Sequence, residues 1–112
     1  MTSKVTVKMN TCNKTHRISV SMRDDGNLDV KIVSDCPNVQ EYAKRLTEIT
    51  MDDVTNFSGS KVVDPVCRET LSVPCLVPIG VFDAAWMELG LLSKSLGKKA
   101  HSNEVILDEN DD

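Results

Sequence analysis

Along the early part of the chain apolar and polar residues alternate, and then the period changes. Val5, Val7 and Met9 alternate with Thr6, Lys8 and Asn10, as in a strand with one buried face. The polar run Asn10-Thr11-Cys12-Asn13-Lys14-Thr15 predicts a turn with Cys12 near its tip, after which Ile18, Val20 and Met22 alternate with Arg17, Ser19 and Ser21. Asp24-Asp25-Gly26-Asn27 supplies residues that accept positive φ, and Leu28, Val30 and Ile32 carry a third alternating run. The pattern predicts a three-stranded antiparallel meander.

At Ser34-Asp35-Cys36-Pro37 the period becomes helical. Proline is favoured in the first turn of a helix, where its missing N–H costs nothing, so Asp35 or Cys36 is the expected cap. Val39, Tyr42, Ala43, Leu46 and Ile49 then fall on one face, with Glu41–Arg45 and Lys44–Glu48 as i,i+4 pairs on the others. Met51 to Phe57 predicts a further helical turn capped by Thr50 and ended by Ser58-Gly59-Ser60. In the stretch that follows, the least readable of the chain, Val62-Val63 looks strand-like, Pro65 and Pro74 limit any regular element, and Val66 to Leu71 fits one or two helical turns equally well. Cys75-Leu76-Val77-Pro78 repeats the first junction and opens a helix with Val81, Phe82, Ala85, Trp86 and Leu89 on its apolar face, ended by Gly90. A polar loop then leads to Val105-Ile106-Leu107, read as a last strand, and to the acidic tail 108–112. The fold expected is one α+β domain over 1–112: the meander, two main helices on one face of the sheet, and a C-terminal strand returning to it.

Composition narrows the class. A chain of 112 residues, 40% hydrophobic and 27% charged, is large enough to bury a core without disulfides or metal. Its net charge of -4 argues against a nucleic-acid partner, since such binders carry a basic face that displaces phosphate counterions. The N-terminal residues contain no signal-peptide core, and no stretch approaches the roughly 20 apolar residues that span a bilayer. The chain therefore reads as cytoplasmic, without a membrane partner. A protein partner and the oligomeric state are left open.

In a reducing compartment an even cysteine count points to metal or redox chemistry before disulfides. An up-down-up meander puts Cys12, at the first hairpin tip, and Cys36, at the exit of the third strand, at the same end of the sheet. Cys75 precedes the second main helix and joins them if that helix starts at that end, while Cys67 is tied only by its short tether to Cys75. Helix N-termini carry about half a positive charge and free N–H groups, which favour thiolate at Cys36 and Cys75. Cys12, Cys36, Cys67 and Cys75 are thus candidate ligands for zinc or an iron-sulfur cluster, since four thiolates complete either coordination set. The gaps between them contain no C-x-x-C pair, the usual grip of such sites. Two other readings stay open: a thiol redox or sulfur-transfer protein using Cys36 or Cys75, and a non-catalytic interaction module with buried cysteines. His16 is read as an exposed or half-buried strand residue and His101 as a loop residue, although His16 can replace a thiolate ligand or act as a base. Asp24-Asp25 and Asp52-Asp53 fit turn and helix-start preferences, not a calcium loop. Phe82 and Trp86 read as core, with Trp86 a possible dimer contact. Whether the chain is an enzyme is not fixed by any of these features.

The junctions Ser34-Asp35-Cys36-Pro37-Asn38-Val39 and Cys75-Leu76-Val77-Pro78 resemble those of an uncharacterised family of small cysteine-containing archaeal and bacterial proteins. That family has S-D-C-P-x-V before one helix and C-x-V-P before another. The resemblance runs from Cys12 to the last strand and implies a cytosolic prokaryotic protein with no established activity. It also implies that Cys12, Cys36 and Cys75 are the family's cysteines and Cys67 the upstream partner of the last. In the family pattern Gly and Phe follow the first cysteine; here Asn13 and Lys14 do.

Overall fold

The computed structural model describes residues 2–109. Strands β1 (Thr2–Met9), β2 (Lys14–Met22) and β3 (Leu28–Ser34) form the expected meander. A fourth strand, β4 (Glu48–Ile49), extends it antiparallel, giving the sheet order β1-β2-β3-β4. Asn13 (φ 55) and Gly26 (φ 89) take the left-handed conformations that the two tight turns require. Helix α1 (Pro37–Arg45) packs on β3, and α3 (Val77–Glu88) lies across β1 and β2. The short α2 (Met51–Thr55), a 3-10 helix at Lys61–Val63 and α4 (Lys94–Ala100) complete the described structure.

Strand alternation decides the core. Ser3, Val7, His16, Ile18, Val20, Leu28 and Val30 point to the helices and are buried, while Lys4, Thr6, Lys8, Thr15, Arg17, Lys31 and Val33 lie on the open face. Val39, Tyr42 and Leu46 of the α1 region and Val77, Val81, Ala84 and Ala85 of α3 close the core from above.

Three expectations change. The first helix was expected to carry its apolar face through Ile49, but it ends at Arg45, because Leu46 leaves helical geometry (φ -113, ψ 77). Leu46 and Ile49 are still buried; Ile49 reaches the core as a strand residue paired with Leu28. Residues 105–107 are not a strand of the sheet. They stay exposed (70%, 67% and 74%), and β4 is the fourth strand in their place. The loop expected before them contains α4, whose cap Ser93 accepts from the Leu96 N–H. The Thr50 cap is present as a full capping box with Asp53.

The direction of α3 follows from two close contacts. At its N-terminal end, a Cβ on Gly80 would stand 2.5 Å from Val7 Cγ2 and 2.8 Å from Ile18 Cδ1, so only glycine lets the helix lie this low. At the other end the buried Glu88 carboxylate accepts from Ser3 Oγ (2.9 Å) and from the Met22 backbone N–H (3.0 Å), at the opposite end of the same two strands. α3 therefore runs antiparallel to β1 and begins near the β1–β2 hairpin tip. Gly80→Ala gains helix propensity but overpacks this contact, and a net loss of about 1–3 kcal/mol is expected in urea unfolding. An unchanged or increased midpoint would contradict so close an approach.

Candidate thiol site

The sheet end that receives the start of α3 also carries the β1–β2 turn and the exit of β3. Cys12 is exposed in that turn, its Sγ donating to the Met9 carbonyl at 3.7 Å. Cys36 caps α1 with extended backbone (φ -87, ψ 119), and Pro37 follows in the first turn. Its side chain makes no capping bond, its N–H donates to Ser34 Oγ (2.9 Å), and it is half-buried. Cys75 is half-buried just before α3, with its N–H donating to the Ser72 carbonyl (3.1 Å).

Electrostatics ties these three thiols together. Burial pushes the Cys75 thiol up, a bond from the Val77 N–H partly offsets it, and charge on Cys12 or Cys36 pushes it up further. Cys12 and Cys36 thus both act on Cys75, in keeping with the meander and the direction of α3, which bring all three to one end of the sheet. Cys67 is placed differently. It is buried, its N–H donates to Asp64 Oδ2 (3.0 Å), and its thiol is raised by burial. The charged groups that act on it are Lys61, Asp64 and Arg45, not another cysteine. Cys67 and Cys75 share one neighbour, the buried Tyr42, whose hydroxyl donates to the Val62 carbonyl (2.7 Å) and is pushed up chiefly by burial.

Among the described residues no group of three or more His, Cys, Asp or Glu side chains is placed to hold a metal ion. The surface concavities lined by Asp53, Lys61 and Asp64 and by Phe82, Trp86 and Asn103 contain none of the cysteines. No helix among the described residues is long and apolar enough to cross a membrane.

His16 is the residue that reading by sequence underrates. It is 1% exposed, and its Nδ1 shares a 2.7 Å hydrogen bond with Ser34 Oγ, the same oxygen that accepts from the Cys36 N–H. A chain of contacts thus runs from the buried imidazole to the helix start that carries Cys36. The signal was available in the strand parity: His16 shares its face with Ile18 and Val20, both buried. His101 is exposed beyond α4, and Trp86 donates its Nε1–H to the Val54 carbonyl (2.9 Å) while remaining partly exposed.

Burial lowers the pKa of His16 from 6.5, against the raising effect of Asp35 and with that of Lys14. The unfolded chain takes up a proton at the higher pKa and the folded protein resists it. The stability from neutral His16 is therefore complete above about pH 6.5 and declines as pH falls from there through the lowered folded value. The urea midpoint of the native protein should fall between pH 7 and pH 5, and His16→Gln should flatten that part of the profile. Equal slopes for the two proteins would contradict a buried neutral imidazole.

Residues 3–100 match the model of a family of unknown function (DUF6951). No curated protein and no solved structure matches the chain.

Proposed function

The chain belongs to this family of unknown function, which brings no activity with it, and we propose from the chain's own residues that it is a thiol redox or sulfur-transfer protein working through Cys36 and Cys75. The observation that carries this reading is the convergence of the Cys12 turn, the Cys36 cap of α1 and the half-buried Cys75 before α3 at one end of the sheet. Three thiols at one end of the sheet, two of them beside helix starts, suit exchange with a disulfide or persulfide partner.

The two cysteines have different parts. Cys36 sits where the first turn of α1 leaves N–H groups without intrahelical partners, and its own side chain is not used as a cap. As thiolate it attacks one sulfur of a partner disulfide; a mixed disulfide forms and the partner's other sulfur leaves as thiolate, which takes a proton from solvent. Cys75, kept protonated by burial, then loses its proton to solvent and attacks the Cys36 sulfur. The Cys36–Cys75 bond forms, the second partner thiol is released, and two electrons have passed to the partner. Cys12, exposed on its turn, is the thiol a partner meets first.

The four-cysteine metal or iron-sulfur site is the second reading, supported by the same gathering of Cys12, Cys36 and Cys75. Cys12 lies on an exposed turn, so the hairpin tip is the part that would close on an ion, with Cys67 brought in from beside Tyr42 or its place taken by another donor. Zinc or iron retained through oxygen-free purification favours this reading. A colourless, metal-free, folded sample with all four thiols titratable rejects it.

For the thiol reading, site-resolved alkylation of the native protein with iodoacetamide near neutral pH is decisive. Cys36 should react at least about tenfold faster than Cys67, whose thiol is buried and raised. Glutathione disulfide should then yield a Cys36–Cys75 bond that Cys36→Ser prevents. Equal, slow alkylation of all four thiols would overturn the proposal.

A further inference from the structure

The exposed segment 104–109 and the open edge of β1 are both unpartnered, and their chemistry matches. β1 is the outermost strand, so the N–H and C=O groups along one side of its eight residues have no strand beside them. Its open-face row is Lys4, Thr6 and Lys8, all exposed. Neither lysine forms an ion pair among the described residues. The segment 104–109 reads Glu104-Val105-Ile106-Leu107-Asp108-Glu109, without regular structure and exposed throughout. Its three apolar residues are β-formers held in water, outside the stretch that matches the family.

Placed in extended conformation, the segment reproduces the periodicity of β1. Glu104, Ile106 and Asp108 fall on one face and Val105 and Leu107 on the other. The two acids are four residues apart, as Lys4 and Lys8 are, a separation of about 13 Å in either strand. Set beside β1 with its acids on the open face, the segment meets both lysines in either strand direction, with Ile106 near Thr6. Val105 and Leu107 then extend the covered face beside Val5 and Val7. Lysines on an edge strand ordinarily repel other strands, and an acidic strand of the same spacing is what answers them.

The strand comes from another molecule. Asn103 lies with Phe82, Asp83, Trp86 and Leu92, on the flank of α3 where Trp86 contacts Val54 of α2 and Phe82 stacks on Phe57. That flank faces α2, which follows directly on β4 at one edge of the sheet, whereas β1 is the opposite edge, so the chain's own segment starts on the side of α3 away from β1. We propose that segment 104–109 of one copy adds as a fifth strand to β1 of a second copy, Glu104 and Asp108 beside Lys4 and Lys8, in a reciprocal dimer.

Light scattering coupled to size exclusion, over micromolar to near-millimolar concentrations of the full chain, tests it with exposed residues only. The native protein should dimerise. Lys4→Glu with Lys8→Glu, and separately Glu104→Lys with Asp108→Lys, should each weaken the dimer about tenfold or more, since attraction becomes repulsion at two exposed pairs. All four substitutions together should restore it, with unchanged circular dichroism throughout. A native protein that stays monomeric over the whole range overturns the proposal. So does a dimer indifferent to either reversal, or one that the fourfold variant fails to restore.

Discussion

The low seating of α3 on β1 and β2 governs the rest of the molecule. With no side chain at Gly80, the helix backbone rests against Val7 and Ile18, and Val77, Val81, Ala84 and Ala85 complete a core built from small and β-branched residues. A helix held this close has little freedom to tilt, and Glu88 fixes its far end by satisfying Ser3 and the Met22 N–H inside the protein. A buried carboxylate with two donors is tolerated; removing it would strand those donors away from water. The seating and the clamp together set the direction of α3, and that direction delivers Cys75 to the end of the sheet where Cys12 and Cys36 already are.

The same constraint explains why the thiols differ. Cys36 is placed by the strand-to-helix junction alone, through Ser34, which receives the Cys36 N–H and holds His16. Cys75 is placed by α3 and pays for its position in desolvation, which keeps its sulfur protonated. Cys67 belongs to a separate environment, where Asp64 turns the loop and Tyr42 fills the space between loop and α1. Packing thus leaves two half-buried sulfurs beside helix starts and a third buried apart from them, without a paired motif in the sequence.

Much of this was legible from period alone. The three strands, both helix starts and the Thr50 cap follow from local rules, and the shared end of Cys12 and Cys36 follows from connectivity. What local pattern could not supply was context. Ile49 fits a helical face through Leu46 as well as it fits a two-residue strand, and only pairing with Leu28 decides between them. Val105-Ile106-Leu107 has the composition of a strand, yet the described residues give it no partner strand. The position of Cys67 depends on the course of an irregular loop that carries almost no periodicity, whereas the burial of His16 was readable from the parity of β2 and was undervalued because a lone strand histidine is more often exposed.

Cys36 and Cys75 share one end of the sheet with Cys12, while Cys67 stands apart. A trivalent arsenical that bridges two neighbouring thiols, added to the native protein and located by peptide mass spectrometry, tests it most directly. A bridge that includes Cys75 together with Cys36 or Cys12 is expected, leaving Cys67 free to be alkylated after unfolding. A bridge between Cys67 and Cys75, or no bridge in the folded protein, would contradict it.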